Sequence, residues 1–261
     1  MNGEEKMEEH AIRAMVRSRY AGIAANSSCC GGSEPELAEK SRRIGYSEAE
    51  LQQAGEGANL GLGCGNPQAI ASLRPGEVVV DLGSGAGFDC FLAARAVGPT
   101  GHVIGVDMTA EMLARARSNA ARLGLANVEF RAGDIVALPL PDAIADVIIS
   151  NCVINLVPEK EKVFREAFRV LKPGGRLAVA DVVNIAPLPP DLAADPALLC
   201  GCVAGAAGIA DLEAMLEAAG FIAVRIEPKP EIGETIASWA PGRGIEACVA
   251  SAAITAERPC A

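Results

Sequence analysis

Nine cysteines carry the most distinctive chemistry in this chain of 261 residues. Thiol groups can bind soft, polarisable elements, form disulfides, or pack as small apolar side chains. Their spacing matches no zinc finger, and no two of them stand in a CxxC motif. Three interpretations therefore stay open: inert core thiols, redox thiols, or ligands of a thiophilic element. The cysteines are Cys29, Cys30, Cys64, Cys90, Cys152, Cys200, Cys202, Cys248 and Cys260.

The neighbours of Cys64 and of the adjacent pair Cys29-Cys30 favour a chemical role. Glycines flank Cys64 on both sides, so a ligand could approach it closely, whereas buried structural cysteines usually have bulky apolar neighbours. Small polar residues and glycines surround Cys29-Cys30 and predict a mobile loop that could carry a thiol to a site. A plain linker is the alternative interpretation of that loop.

The other cysteines are separated by their predicted positions. Cys152 follows the fourth predicted strand, and open parallel sheets bind ligands at the carboxyl ends of their strands. Cys202 stands among small residues. Cys90 falls in a predicted helix and Cys248 in a predicted strand, so both are predicted core thiols. Cys200 would share a face with Cys202 in an extended chain, which leaves a secondary role open to it.

A glycine-rich turn follows the predicted buried strand 78–82. Its pattern is Gly83-x-Gly85-x-Gly87, and glycine allows the backbone to turn sharply and approach a ligand closely. The helix that starts at this turn presents free backbone N–H groups. About 20 residues further on, a second strand ends in Asp107, whose carboxylate can accept hydrogen bonds from ribose hydroxyls. These features predict a ligand that contains a nucleoside.

Apolar runs and helical patterns alternate through the middle of the chain. Strands are predicted at 78–82, 102–107, 127–131, 144–150 and 175–183. Helices are predicted between them at 88–97, 110–123 and 159–171. This succession predicts an α/β fold with a doubly wound parallel sheet. A helix at 4–20 precedes it, and helix 209–219, strand 221–228 and an apolar stretch at 245–254 for a final antiparallel strand follow.

The chain is accordingly predicted to have three parts. Residues 1–70 form an N-terminal extension of helices and the cysteine loop, and they include Cys64. Residues 71–185 form the core that binds the cofactor. Residues 186–261 form a short C-terminal part that completes the sheet and the thiol site.

Composition excludes several classes of partner. The formal net charge is −10 and aromatic residues make up 3%, which disfavours nucleic acid as a partner. No apolar run of about 18 residues is present, so no membrane span is expected. The acidic, polar N-terminal segment is unlike a signal peptide, and a cytoplasmic location without a disulfide framework is expected. A monomer is the default expectation.

The glycine-rich turn resembles the motif of class I S-adenosylmethionine methyltransferases, in which an acidic residue such as Asp81 precedes the glycines. The resemblance implies a Rossmann-like sheet with S-adenosylmethionine as the cofactor. It places the turn under the methionine part and Asp107 at the ribose. Asp134 would hold the adenine amino group, and an ordinary helix cap is its alternative role. The predicted cofactor-binding residues are Asp81, Gly83, Gly85, Gly87, Asp107, Met108, Asp134, Ile135 and Asn151.

Three further segments, at residues 63–67, 151–156 and 200–206, together resemble arsenite methyltransferases. The resemblance extends over about residues 20–228, and the set of thiols makes it specific. Generic S-adenosylmethionine methyltransferases lack these cysteines. The resemblance implies that trivalent arsenic, free or as a thiol conjugate, is bound by three cysteines, namely Cys64, Cys152 and Cys202.

In that family a fourth cysteine takes part in a redox cycle, and here Cys29 or Cys30 stands in its place. The resemblance implies that one of them forms a disulfide with Cys64, which an outside reductant such as thioredoxin or glutathione then reduces. The alternative function is methylation of a small organic acceptor such as a quinone or phenol, with incidental cysteines. A non-catalytic metalloid-binding protein is a further alternative, but the intact glycine turn and Asp107 argue against it.

Overall fold

A mixed β-sheet runs through the middle of the protein. The computed structural model describes residues 3–26 and 33–260. Within these ranges the strands are β1 (Val78–Leu82), β2 (His102–Asp107), β3 (Val128–Ala132), β4 (Ala145–Asn151), β5 (Leu171–Asn184), β6 (Ala207–Gly208), β7 (Ile222–Pro228) and β8 (Val249–Glu257).

The strands follow the order β3-β2-β1-β4-β5-β8-β7, and the short β6 pairs with β5. Neighbours from β3 to β5 are parallel, whereas β8 is antiparallel to both β5 and β7. The inner strands are buried along nearly their whole length, as expected for parallel strands covered on both faces. The predicted doubly wound sheet with a final antiparallel strand is confirmed.

Helices cover the sheet and its carboxyl edge. Their bounds are α1 (Gly3–Asn26), α2 (Glu34–Arg43), α3 (Glu48–Ala54), α4 (Gln68–Ala71), α5 (Phe88–Val97), α6 (Ala110–Leu123), α7 (Lys160–Val170), α8 (Pro190–Ala193), α9 (Pro196–Leu199), α10 (Ile209–Ala218) and α11 (Gly233–Trp239). Single 3-10 turns lie at Ile154–Leu156, Pro230–Ile232 and Ile245–Ala247. None of the helices described in 3–26 and 33–260 is long and apolar enough to cross a membrane.

Two predictions of local structure are wrong. Cys248 does not lie in a strand, because Gly244 in the left-handed conformation (φ 68°) starts a 3-10 turn and β8 begins only at Val249. Cys248 is half-buried there. Cys200 and Cys202 do not lie in extended chain either, since Cys200 ends α9 with αR dihedral angles. Cys200 and Cys202 are therefore brought close to each other by the turn that ends α9, and not by the alternation of an extended strand.

Three of the apolar clusters account for most of the core. One lies on each face of the sheet, and the third lies at its carboxyl edge. The third cluster joins Val16 of α1 and Ile236 of α11 to four of the cysteines, Cys64, Cys152, Cys200 and Cys202. Burial of apolar surface between α1, the C-terminal part and the sheet edge therefore brings these thiols together.

Candidate active site

Three glycines in the left-handed region form the turn between β1 and α5. The angle φ is 70° at Gly83, 52° at Gly85 and 93° at Gly87, values that other residues rarely adopt. A Cβ on Gly83 would lie 2.5 Å from the Val153 side chain. Only glycine therefore allows the turn to pack against the segment that follows β4.

The carboxylate of Asp107 ends β2 and faces this turn. It accepts hydrogen bonds from the Gly85 N–H at 2.9 Å and from the Thr109 N–H at 2.8 Å. Burial raises the pKa of Asp107, and the N–H groups of Thr109 and Gly85 oppose this increase. A carboxylate has lone pairs for about four donors, so it can still accept hydrogen bonds from a diol.

A cleft lies at the carboxyl ends of β1, β2 and β4, and we call it the cofactor cleft. Gly87 does not line it, since this glycine caps α5 and its missing Cβ leaves room for Phe91. The lining offers carboxylates for hydroxyl and amino groups and apolar side chains for an adenine ring, which fits S-adenosylmethionine. Eight of the nine predicted residues line it: Asp81, Gly83, Gly85, Asp107, Met108, Asp134, Ile135 and Asn151.

Helix α1 closes one side of the cofactor cleft. Val16 and Tyr20 line the cleft from this helix. The Arg13 guanidinium pairs with Asp134 (Nε to Oδ2, 3.0 Å) and with Glu159 (Nη2 to Oε2, 2.6 Å). The carboxylate predicted to meet adenine is thus in contact with α1. The sequence did not single out Arg13, because its partners are distant in the chain.

Two buried carboxylates lie at the floor of the cleft. The Tyr46 hydroxyl donates to Asp89 at 2.7 Å, and the Cys90 thiol donates to Asp81 at 3.2 Å. Burial raises the pKa of Asp89 to about 6 and that of Asp81 well above its usual value. A cationic amino group in the cleft would stabilise their ionised forms. Cys90 is buried as predicted, whereas Tyr46 and Asp89 were missed.

Asn151 connects the cofactor cleft to the loop that carries Cys64. Its side-chain oxygen accepts from the Cys64 N–H at 3.0 Å. Its amide nitrogen donates to the Gly65 carbonyl and the Tyr46 hydroxyl, both at 2.9 Å, and to Asp89 at 3.2 Å. The position of Cys64 therefore depends on a side chain that also lines the cofactor cleft.

The three thiols predicted to act together lie at one end of the sheet, and we call Cys64, Cys152 and Cys202 the thiol cluster. The Sγ atoms of Cys64 and Cys152 and an Asp181 carboxylate oxygen all lie within 4.8 Å of one another. The Cys202 thiol donates to the Cys152 carbonyl at 2.7 Å. The structure thus brings the three cysteines together, with Cys202 reaching the group through Cys152.

Two members of the thiol cluster have unusual backbone angles. The angle φ is 59° at Cys152 and 64° at Cys202, in the left-handed region that disfavours side chains. Among the non-glycine residues of the described ranges, this conformation is otherwise found at Ser72, Ala143 and Ala223. Backbone strain of this kind concentrates at functional sites.

Burial keeps the thiols of the cluster protonated near neutral pH. It raises the pKa of Cys64 to about 12 and that of Cys152 well above its usual value. The neighbouring Cys152 thiol, followed by burial, raises the pKa of Cys202 in the same direction. Each thiol can therefore react in its neutral form with an uncharged compound that carries hydroxyl groups. The reaction releases water, and no thiolate has to form beforehand.

Asp181 is the functional candidate that sequence reasoning missed. It interrupts the apolar run of β5 near the carboxyl end, so the topological rule that pointed to Cys152 could have found it. Burial raises the pKa of Asp181 to about 6, although the Val182 N–H and the Lys160 ammonium oppose this increase. Lys160 is itself buried, and burial lowers its pKa.

The shift at Asp181 predicts how an Asp181→Asn variant depends on pH. The folded pKa of about 6 exceeds the ordinary 3.8, so Asp181 stabilises the wild type fully below pH 3.8 and loses this contribution as pH rises through 6. The free energy of unfolding of the wild type relative to the variant should fall by about 2 kcal/mol between pH 4 and pH 7. Urea unfolding at several pH values measures this difference, and a constant difference would contradict it.

A second cavity, of about 610 Å³, lies on the other side of the thiol cluster. Its size is typical of small-molecule sites, which enclose about 300–1,000 Å³. Cys200 and Cys202 line it, and its border carries charges of both signs, from Arg19, Lys40 and Arg43 and from Glu36 and Glu39. Cys152 lines both this cavity and the cofactor cleft.

The remaining cysteines are not members of the thiol cluster or lie outside the described residues. Cys200 is buried, and its carbonyl accepts from the Tyr20 hydroxyl at 3.3 Å. Cys260 is exposed beside the turn at Gly174. Cys29 and Cys30 lie outside the residues that the structure describes, so their predicted redox role stays a prediction.

Comparison with known proteins identifies close relatives. A family model described as a methyltransferase domain matches residues 73–220. The chain is 53% identical, over 95% of its length, to an arsenite methyltransferase of Halobacterium salinarum, and 46% identical, over 64%, to one of Aquipseudomonas alcaligenes. It spans 66% and 50% of the lengths of these two relatives.

A solved structure gives the same picture. The chain superposes with a TM-score of 0.60 on an arsenic(III) S-adenosylmethionine methyltransferase from Chlamydomonas reinhardtii. Sequence identity is 31%, and the match covers 87% of this chain and 74% of the algal chain. The sheet, the cofactor cleft and the thiol cluster therefore occur in a chain whose relatives methylate arsenic.

Proposed function

Because the chain belongs to the family of arsenic(III) S-adenosylmethionine methyltransferases, we propose that it transfers methyl groups to trivalent arsenic bound by its cysteine thiols. The position of Cys152 carries this proposal. It belongs to the thiol cluster and lines both the cofactor cleft and the second cavity. An arsenic atom bound to the Cys152 sulfur would therefore lie between the methyl donor in the cofactor cleft and the second cavity.

The thiol cluster supplies the ligands that arsenic prefers. Thiolates bind soft elements better than carboxylates do. Arsenic bound to Cys64, Cys152 and Cys202 would be pyramidal and keep a lone pair, which serves as the nucleophile. S-Adenosylmethionine supplies an electrophilic methyl group when it is bound. The contribution of the chain is mainly to position the lone pair, and the substrate can be free arsenite or a thiol conjugate.

The protonation state of the thiols balances the binding step. Each neutral thiol exchanges with one hydroxyl of arsenite, so an arsenic–sulfur bond forms and the thiol proton leaves with the hydroxyl as water. Three exchanges release three waters, and no net charge is buried in the cluster. A general base is therefore unnecessary, in agreement with the high pKa of Cys64.

Asn151 is proposed to position Cys64, and its replacement by alanine tests this role. The loss leaves the Cys64 N–H and the Gly65 carbonyl without their partner, at about 1–3 kcal/mol for each group that stays buried, and removes one of the two side-chain donors to Asp89. Turnover with arsenite should fall by about 10-fold or more. The control is Asn127→Ala, which loses two hydrogen bonds to backbone carbonyls, those of Ala94 and Gly98. Equal losses in the two variants would exclude a positioning role.

Transfer of a methyl group to the lone pair oxidises arsenic by two electrons. We assign the return of these electrons to Cys64 and either Cys29 or Cys30. The second thiol attacks the Cys64 sulfur, so a disulfide forms, the arsenic–Cys64 bond breaks and leaves its electron pair on arsenic, and the one remaining thiol proton is released. Thioredoxin or glutathione would then reduce the disulfide. The proposal includes a cytoplasmic location, because these reductants act there. It also includes a monomeric protein.

The double variant Cys29→Ser/Cys30→Ser is expected to support at most slow or incomplete turnover. Both candidate partners of Cys64 are then absent, so the oxidised product can be reduced only by the external thiol. The measurement follows the methylated product over several enzyme equivalents, with arsenite binding as the control that should be unchanged. Undiminished multiple turnover would exclude the redox role.

One assay separates the proposed function from its alternative. The protein is incubated with S-adenosylmethionine, a thiol and arsenite, and the arsenic species are separated and quantified. Methylated arsenicals are expected. A parallel incubation with a quinone or phenol should give no methylated product. The opposite outcome would leave the thiol cluster without a catalytic role and overturn the proposal.

A further inference from the structure

Asp181 gives the thiol cluster a hard ligand that arsenic does not need. One Asp181 carboxylate oxygen and the Sγ atoms of Cys64 and Cys152 lie within 4.8 Å of one another, and all three residues are buried. In the described part of the chain this is the one such group of potential ligand atoms. Three converging ligands in a buried position resemble a preformed site for a cation.

Each of the three ligands is fixed by neighbouring groups. The Asp181 carboxylate accepts from the Val182 N–H at 2.8 Å, the Asn155 amide at 2.9 Å and the Ile154 N–H at 3.1 Å. The Cys152 N–H donates to the Ala180 carbonyl at 2.8 Å. Hydrogen bonds of this kind, to the residues that supply the ligands, orient the ligands and raise the affinity of metal sites.

The Cys64 thiol is held at the same carbonyl. Its Sγ lies 3.5 Å from the Ala180 oxygen, and the Cys64 carbonyl accepts from the Ser251 hydroxyl at 2.6 Å. Cys202 differs, because its thiol is engaged with the Cys152 carbonyl and lies outside the compact group. The two sets of ligands thus share two thiols and differ in the third ligand.

The third ligand decides which element a site prefers. Two thiolates and a carboxylate suit a thiophilic divalent cation that also accepts oxygen ligands, such as Zn²⁺ or Cd²⁺. Arsenic(III) takes three sulfurs, and a carboxylate is a poor substitute. The cation would displace two thiol protons to solvent. Its charge would compensate the two buried thiolates, and the Lys160 ammonium that interacts with Asp181 would compensate the carboxylate.

We propose that Cys64, Cys152 and Asp181 form a binding site for thiophilic divalent cations, with Cd²⁺ or Zn²⁺ as ligand, that excludes arsenite by occupying two of its thiols. The site rests on geometry independent of methyl transfer, although its competition with arsenite rests on the proposed function. Bound cation should therefore inhibit competitively with respect to arsenite.

The test compares Cd²⁺ and arsenite on the same variants. Binding is followed by calorimetry and by the ultraviolet absorption of the cadmium–thiolate bonds, with a phosphine as reductant. Asp181→Asn should weaken Cd²⁺ binding by more than about 10-fold, since losing a group that only orients a metal ligand already costs about 10–100-fold. The variant should retain arsenite binding. Cys202→Ser should weaken arsenite binding and retain Cd²⁺ binding. The background carries serine at the half-buried Cys248 and the exposed Cys260, and also at Cys29 and Cys30, which lie outside the described residues.

A measurement on the intact thiol cluster keeps the test independent of variant folding. X-ray absorption at the cadmium edge should show two sulfur ligands and at least one oxygen. Three sulfur ligands, or equal Cd²⁺ affinity in Asp181→Asn and its parent, would overturn the proposal. Cd²⁺ binding without any methylation of arsenite would instead overturn the proposed function and leave the cation site standing.

Discussion

Cys152→Ser is expected to abolish methylation of arsenite, with a loss of more than about 100-fold. Cys152 lies in the middle of the thiol cluster, in contact with Cys64 and with Cys202. A serine hydroxyl has nearly the same size, but its hard oxygen is a poor ligand for arsenic. The loss should exceed the roughly 10–100-fold that follows when a group that only orients a metal ligand is removed.

Two measurements distinguish a lost ligand from a misfolded protein. The variant should bind S-adenosylmethionine as the wild type does, because Cys152 borders the cofactor cleft without being one of its polar groups. The control variant Cys260→Ser, at an exposed position, should keep full turnover. Near-complete turnover by Cys152→Ser would show that the arsenic ligands have been wrongly assigned.

Asp107→Ala should weaken binding of S-adenosylmethionine by about 10- to 100-fold. The variant loses the acceptor expected for the ribose hydroxyls, and a hydrogen bond to a charged group contributes about 1.5–3 kcal/mol. It also leaves the Gly85 and Thr109 N–H groups without their partner, so the glycine turn loses an anchor. Isothermal titration with the cofactor measures the change in affinity.

Arsenite binding provides the internal control for this variant. The thiol cluster meets the cofactor cleft at Asn151 and Cys152, and the cluster makes no hydrogen bond to Asp107. Arsenite should therefore still bind. Asp191→Ala, at an exposed carboxylate in α8, should change neither affinity. Parallel loss of both ligands in Asp107→Ala would indicate unfolding and would remove the evidence for a ribose contact.

Predictions from the sequence succeeded where the information is local. The glycine turn with Asp107 was placed correctly because positive φ angles and a tight turn require glycine at particular positions. Eight of the nine predicted residues line the cofactor cleft. Gly87 does not, because a glycine is required there to leave room for the Phe91 ring. Cys200 and Cys248 were placed in the wrong local structure, since short apolar stretches do not distinguish turns from strands.

The order of strands and helices, the glycine turn and the thiols beside small residues could all be deduced from the sequence, because each depends on periodicity or on residues adjacent in the chain. Contacts between distant segments could not. Asn151 meets Cys64 across 87 residues, Arg13 of α1 meets Asp134, and Asp181 meets two thiols. Only burial of the third apolar cluster at the sheet edge brings these groups together, and this packing depends on the whole chain.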